Sequence, residues 1–170
     1  EDRPEEIRLL VDKVLSEPNK SVVAKRIKRS EGFLFQMLYR IHKYLTLFTT
    51  GKLVNFGNYS CLTKADIEKI SSKASLWSSY SGTFKKNVEN YNEVNSIRGT
   101  RYFGPSQMSL FKLLIHSFSI IAVFRYRVLV LSAIYLALFH YTGFIINFNF
   151  LIFQILIILF NIFIFIIFFR

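Results

Sequence analysis

An uncharged apolar run at the end of the chain restricts the possible folds more than any other feature. From Val128 to Phe169 no side chain carries a formal charge, whereas all 11 acidic residues lie between Glu1 and Glu93. An ionised group is costly inside a bilayer, so such a run is typical of lipid-embedded segments. We predict two membrane spans, residues 128–146 and 148–169, each close to the roughly 20 residues that cross about 30 Å of hydrocarbon.

The link between the two predicted spans is too short to cross the membrane, so the spans should form an antiparallel hairpin. Both outer ends then emerge on one side, and they carry Arg125, Arg127 and Arg170, whereas the link around Asn147 carries no charge. Positive charge is retained on the cytoplasmic side of a membrane. We therefore expect an integral protein of the plasma (inner) membrane whose N-terminal part is cytoplasmic.

Two amphipathic helices are predicted before the hairpin. Apolar residues repeat at helical spacing over residues 106–124, and the flanking arginines favour a position at the membrane surface, so we assign residues 106–127 to an interfacial helix. A second amphipathic pattern covers residues 33–48 and fits packing on a sheet or contact with the membrane equally well. Residues 128–170 form the predicted hairpin.

Residues 1–105 show helix and strand patterns in alternation, as in the C-terminal part of an α/β domain. The single cysteine, Cys61, excludes an internal disulfide framework and a cysteine metal cluster. Because the first residue is Glu1 and a helical pattern begins at once, we expect an upstream portion. The predicted elements are a helix over 5–15, a strand over 21–24, a turn over 55–58 and a helix over 64–71.

Five short motifs stand out before the predicted interfacial helix. They are Glu1-Asp2-Arg3-Pro4-Glu5-Glu6-Ile7, Val23-Ala24-Lys25-Arg26 with Arg29, Phe56-Gly57-Asn58-Tyr59-Ser60, Ser79-Tyr80-Ser81-Gly82-Thr83 and Arg101-Tyr102-Phe103-Gly104-Pro105-Ser106. None is specific alone, but their order and spacing, followed by an interfacial helix and a hairpin, resemble the family 2 glycosyltransferases acting on polyprenyl-phosphate lipids, of the dolichyl-phosphate mannose synthase type.

This resemblance implies the end of a GT-A-like nucleotide-sugar transferase domain, with the donor-binding half upstream and absent here. A divalent metal, Mg²⁺ or Mn²⁺, would be bound mostly by upstream residues, and Glu1 would remain as an oxygen ligand where the family commonly has Gln. Asp2 is the candidate catalytic base if the acceptor is a sugar hydroxyl. The alternative role for Asp2 is a helix N-cap.

A polyprenyl phosphate acceptor is already ionised near neutral pH, since its second pKa is about 6, and it needs positive charge rather than a base. Arginine binds phosphate oxygens bidentately, and Arg26, Arg29 and Arg101 are the candidates, each with a solvated surface charge as the alternative. Gly104 would let the backbone approach the phosphate, and the resemblance adds Ser106 to this acceptor site.

The predicted function is transfer of a sugar from a nucleotide-sugar donor to a polyprenyl-phosphate or lipid-linked acceptor. A non-catalytic membrane anchor that binds anionic lipid or recruits a partner protein is the alternative, since the net charge of +11 fits it too. Nucleic acid is not an expected partner, because the basic residues are not interleaved with stacking aromatics. The sugar, the nucleotide and the oligomeric state stay open.

Overall fold

The computed structural model describes residues 3–28, 33–97 and 109–170, without the side chains of residues 26–28, 33–36 and 110. It is a mixed α/β fold with a small three-stranded sheet and two long apolar C-terminal helices. In chain order the elements are α1 Glu6–Ser16, β1 Ser21–Lys28, α2 Phe33–Thr50, β2 Phe56–Cys61, α3 Lys64–Ser71, α4 Ser75–Ser78, α5 Tyr80–Asn87, β3 Tyr91–Ile97, α6 Leu110–Ala122, α7 Arg125–Ile146 and α8 Leu151–Phe169.

The sheet has the order β2-β1-β3, with β1 antiparallel to β2 and parallel to β3. The turn predicted over residues 55–58 is wrong, because this segment enters β2. Between the pairs Val23↔Ser60 and Lys25↔Phe56 the register shifts, so β2 bulges at Gly57. Residues that favour turns also favour bulges, and here burial of Phe56 in the core determines which of the two forms.

Successive residues of β1 point to opposite faces of the sheet and bury two separate clusters. Val22 and Ala24 pack with Leu10 of α1 on one face. On the other face Val23 joins Phe84 and further apolar residues of β2, α3 and α5. The sheet therefore lies between α1 and the layer formed by α3, α4 and α5. We call these elements, with the three strands, the sheet unit.

Thr63 is the N-cap of α3, which has the bounds that the sequence predicts. The Thr63 side chain accepts a hydrogen bond from the Asp66 backbone N–H at 3.3 Å. The Asp66 carboxylate is buried and accepts hydrogen bonds from Ser21 Oγ at 2.6 Å and Lys69 Nζ at 3.0 Å. Burial alone would raise the pKa of Asp66, but these hydrogen bonds outweigh it and hold the pKa below its ordinary value.

We expect Asp66→Ala to destabilise the sheet unit by about 1.5 to 3 kcal/mol, the range for hydrogen bonds to a charged group. Near-ultraviolet circular dichroism in detergent should then show a Tm lowered by about 3 to 12 °C. Because the folded pKa is depressed, this stabilisation is present above the unfolded pKa of about 3.9 and is lost as the pH falls through the folded value. The exposed Glu68→Ala on the same helix is the control, and an equal Tm for both variants would contradict the prediction.

The sheet unit docks on α6 through α4 and α5. Gly82 allows close approach, since a Cβ there would lie 3.2 Å from the Ile120 carbonyl oxygen and 3.1 Å from a Val123 methyl group. Lys86 Nζ donates to the Val123 carbonyl at 2.9 Å, and Ser78 Oγ donates to the Ser119 carbonyl at 3.3 Å. Backbone carbonyls at the end of α6 are thereby satisfied by the layer that covers the sheet.

The hairpin predicted from the uncharged run is present as α7 and α8, and both helices are long and apolar enough to cross a membrane. Only 6% of the most apolar window of α7 and 17% of that of α8 is buried, so protein does not cover these side chains as it would in a soluble core. Residues 147–150 connect the helices. Asn147 has a left-handed φ of 50°, and a Cβ on Gly143 would lie 2.7 Å from the Phe148 carbonyl oxygen, so the turn is tight.

Among the described residues, the amphipathic helix α2 packs mainly against α6 and α7 and not on the sheet, and its contact with the membrane stays a prediction. His42 Nε2 lies 3.0 Å from the Ser117 carbonyl oxygen of α6, and the ring of Phe48 stacks on Tyr135 of α7 with centroids 5.8 Å apart. In the described part of the predicted interfacial segment 106–127, residues Leu110–Ala122 are helical as α6, but residues 125–127 already belong to α7. The interfacial position of α6 stays a prediction. Both amphipathic helices thus lie beside the hairpin.

Candidate functional site

Most of the site residues predicted from sequence lie outside the described residues. Arg26 lies in β1, where it pairs with Ser96 of β3, but its side chain belongs to the part that is not described. The remaining predicted site residues, all of which lie outside the described ranges, are Glu1, Asp2, Arg29, Arg101, Gly104 and Ser106.

The fold brings four of the five motifs together, since the segment 56–60 pairs with 23–26 in the sheet and its Tyr59 hydroxyl donates to the Arg3 carbonyl oxygen at 2.7 Å. The motifs 56–60 and 79–83 contact each other through their side chains. Tyr80 Oη lies 2.5 Å from Ser60 Oγ, so the segment 79–83 touches β2. Burial raises the pKa of Tyr80, although its hydrogen bond with Ser60 opposes the shift. Ser79 caps α5 by accepting from the Gly82 N–H at 3.2 Å. In this structure both motifs therefore have packing and capping roles, and neither presents a free catalytic group.

Five cations lie where the sheet unit meets the hairpin, and we call them the basic collar: Lys52, Lys73, Lys86, Arg125 and Arg127. The charges of Lys73 and Arg125 act on Lys86, Lys52 Nζ donates to the carbonyl oxygen next to Lys86 in the chain, and Arg127 lies against the glycine that precedes Lys52. No collar residue forms an ion pair with a carboxylate of the described ranges. The carboxylates that do form ion pairs there lie elsewhere on the sheet unit, as in Lys25 with Glu93 at 2.8 Å and Lys20 with Glu17 at 2.8 Å. The described carboxylates that form ion pairs therefore lie away from the collar, and the positive charge of the collar beside the hairpin is not neutralised by them.

Lys86 is held among other cations. Partial burial lowers its pKa most, and the positive charges of Arg125 and Lys73 lower it further. Its ammonium group also lies 5.8 Å from the centroid of the Phe124 ring. A bound anion would relieve this repulsion, so the position favours a phosphate or carboxylate ligand.

Aromatic rings fix Arg125 at the start of α7. Its guanidinium carbon lies 3.5 Å from the centroid of Phe168 and 4.4 Å from that of Tyr126. Its Nε is buried and lacks a hydrogen-bond partner among the described residues. The rings hold the guanidinium group in place, and its Nε–H remains available to donate a hydrogen bond to a ligand.

Arg127 lies against the C-terminal end of α2. Gly51 follows that helix with a φ of +67°, and a Cβ on Gly51 would overlap the Arg127 guanidinium. Glycine is suited to both demands, the left-handed backbone and the absence of a side chain. The sequence marks Arg127 as a charge beside a span, but its position against Gly51 depends on how α2 packs against α7.

An apolar groove of about 320 Å³ begins beside Arg127 and runs between α2 and the hairpin. Along α7 it extends from Val128 to Phe139, which is about 16 Å at 1.5 Å per residue and roughly half the hydrocarbon core. Thr49, Ser132 and Tyr135 carry the hydroxyl groups of an otherwise hydrophobic lining. The other lining residues are Leu45 and Phe48 of α2, Leu131 of α7, and Phe153, Leu156, Ile157 and Phe160 of α8.

The collar and the groove together fit an amphiphile with an anionic head and an apolar chain. Amphiphiles of this kind place phosphate at the membrane surface and hydrocarbon below it. Within the described ranges, no group of three or more metal-ligating side chains is found. The chain matches no family model, no curated protein and no solved structure.

Proposed function

We propose that this chain is the acceptor-side, membrane-bound part of a glycosyltransferase, which transfers a sugar from a nucleotide-sugar donor to a polyprenyl-phosphate or lipid-linked acceptor. The observation that supports it best is the apolar groove that begins beside Arg127 of the basic collar. A lipid phosphate at the collar can extend its chain along α7 without leaving the bilayer.

The fold is compatible with this proposal. The parallel pairing of β1 with β3 needs a long crossover, which α2 to α5 supply, as expected for part of an α/β transferase domain of the GT-A-like type. The five motifs add the resemblance to polyprenyl-phosphate glycosyltransferases. In this proposal Mg²⁺ or Mn²⁺ is bound by upstream residues and Glu1, and Asp2 acts as the base only toward a hydroxyl acceptor.

Transfer of a sugar to a lipid phosphate requires nearby cations more than a general base. An ionised phosphate oxygen can attack the sugar carbon directly while the bond from that carbon to the donor's phosphate breaks and the nucleotide leaves with the bonding electrons. The two phosphate-bearing substrates repel each other and must be brought together. We assign this role to the collar together with Arg26, Arg29 and Arg101. Gly104 and Ser106 complete the acceptor site in this proposal.

The charges at the two ends of the hairpin support an orientation in the plasma (inner) membrane. Arg125, Arg127 and the sheet unit lie at one end, and the connecting residues 147–150 carry no charge. The positive-inside rule then places the sheet unit in the cytoplasm, where nucleotide sugars occur.

Photo-crosslinking tests the groove. A polyprenyl phosphate with a photoreactive group on its chain is reconstituted with the protein in lipid nanodiscs, and cross-linked peptides are mapped. We expect crosslinks concentrated on the groove side of α2 and α7. Excess polyprenyl phosphate should compete, whereas the matching prenyl alcohol should compete at least about tenfold less well, because it lacks the charge-assisted bonds.

Matched variants separate the groove from the general lipid surface. Ser132→Phe fills the groove and should remove most of the crosslinking, whereas Leu129→Phe, on the lipid-exposed side of the same helix, should not. Crosslinks spread evenly around the hairpin in all three proteins would overturn the groove assignment.

A non-catalytic anchor that binds anionic lipid is the second candidate, and the absence of carboxylate partners for the collar among the described residues favours it. The competition experiment distinguishes the two. An anchor should accept phosphatidylglycerol as well as polyprenyl phosphate, because it would recognise charge alone, whereas an acceptor site should prefer the terminal phosphate monoester.

A further inference from the structure

Trp77 is the one tryptophan of the sequence, and it is 95% exposed on the short helix α4. Tryptophan is a highly buried residue on average, since its ring is large and mostly apolar. The aromatic clusters of the sheet unit form without it, because Phe56, Phe84 and Tyr91 fill the core between α5 and the sheet. Its exposure therefore has no explanation in the packing of the sheet unit.

The surroundings of α4 place Trp77 at the collar end of the hairpin. Ser78, its neighbour, donates a hydrogen bond to the Ser119 carbonyl of α6, and α4 also packs against α8. One residue earlier in α6, the ring of Phe118 contacts Phe163 of α8 with centroids 5.2 Å apart. The exposed indole thus lies beside the helix pair that continues into the apolar hairpin.

Charge near Trp77 is positive. Lys73 lies four residues before it, is exposed, and is near enough to Lys86 and Arg125 to belong to the collar. Tryptophan with adjacent cations is the composition typical of segments at the headgroup level of a membrane, where the ring contacts acyl chains and the indole N–H remains hydrated.

We propose that Trp77 inserts into the boundary between headgroups and acyl chains of the leaflet that faces the sheet unit. It thereby anchors the layer of α3, α4 and α5 on the bilayer at a point separate from the hairpin. The inference rests on the membrane placement of the hairpin within the proposed function, and it adds a lipid contact made by the sheet unit itself.

Tryptophan fluorescence, excited at wavelengths that tyrosine does not absorb, tests this directly, because Trp77 is the one tryptophan of the sequence. The protein is reconstituted in phosphatidylcholine and phosphatidylglycerol vesicles, with the lipids either plain or brominated on the acyl chains. We expect a blue-shifted emission, loss of most of the emission with brominated lipids, and little quenching by aqueous iodide.

The control moves the reporter to the other side of the sheet. Leu15 is 71% exposed on α1, which covers the face away from α4, so Leu15→Trp in a Trp77→Phe background should emit as in water and be quenched by iodide. Resistance of the vesicle-bound protein to alkaline extraction scores hairpin insertion independently. If extraction resistance is retained while Trp77 behaves like the Leu15 reporter, Trp77 faces water or another protein and the inference is wrong, whereas the proposed function is untouched.

Discussion

Arg101→Ala is expected to weaken binding of polyprenyl phosphate by about 10- to 150-fold, which corresponds to the loss of a charge-assisted hydrogen bond of about 1.5 to 3 kcal/mol. Arg101 lies eight residues before Ser109, the N-cap of α6, so it precedes a helix that packs beside the hairpin. In the proposed function Arg101 binds the lipid phosphate at the membrane surface. Arg101→Lys should recover only part of the loss. Its ammonium group keeps the positive charge but cannot bind two phosphate oxygens in parallel.

The measurement is competition against the photoreactive lipid in nanodiscs, with the concentration of unlabelled polyprenyl phosphate that halves crosslinking as the readout. Arg8→Ala provides the matched control. The Arg8 side chain is 89% exposed on α1, which covers the face of the sheet away from α3, α4 and α5. Removal of that solvated arginine should change the midpoint less than twofold. A midpoint for Arg101→Ala within twofold of the parent would mean that Arg101 is a solvated surface charge and binds no phosphate.

In intact cells, a cysteine at one end of the hairpin should be labelled almost completely from outside, and a cysteine at the other end almost not at all. In a Cys61→Ser background, Phe148→Cys places a thiol in the exposed connection between α7 and α8, and Glu89→Cys places one on the sheet unit. We expect an impermeant maleimide to label the first from outside and the second only after permeabilisation. Phe148 is preferred to Asn147, whose left-handed backbone a cysteine would strain.

This orientation is expected because the arginines that flank the hairpin, Arg125, Arg127 and Arg170, lie at its end nearest the sheet unit. A Phe148→Cys thiol that stays unlabelled until permeabilisation would contradict the orientation. It would also remove the access to cytoplasmic nucleotide sugars that the proposed transfer requires.

Local signals in the sequence predict the elements that depend on local interactions. The N-cap Thr63 defines the start of α3, and the uncharged run defines the hairpin. The strand pairing could not be predicted in the same way. Gly57 and Asn58 favour a turn in isolation, but the pairing of Phe56 with Lys25 draws them into a bulged strand.

The candidate site was predictable in its chemistry more than in its geometry. The arginines beside the first span are visible in the sequence, and their preference for phosphate follows from the guanidinium group. The groove is not visible, because it forms only where α2 packs against α7. An amphipathic pattern specifies that α2 has an apolar face, but not which neighbour covers that face.

The tight connection after Asn147 also bears on how the hairpin enters a membrane during synthesis. In the proposed orientation only residues 147–150 reach the far surface, and none of them is charged. No ionised group has to be carried across the hydrocarbon, and no folded domain has to be translocated. We therefore expect α7 and α8 to insert together as one unit, with the collar arginines retained at the surface of entry.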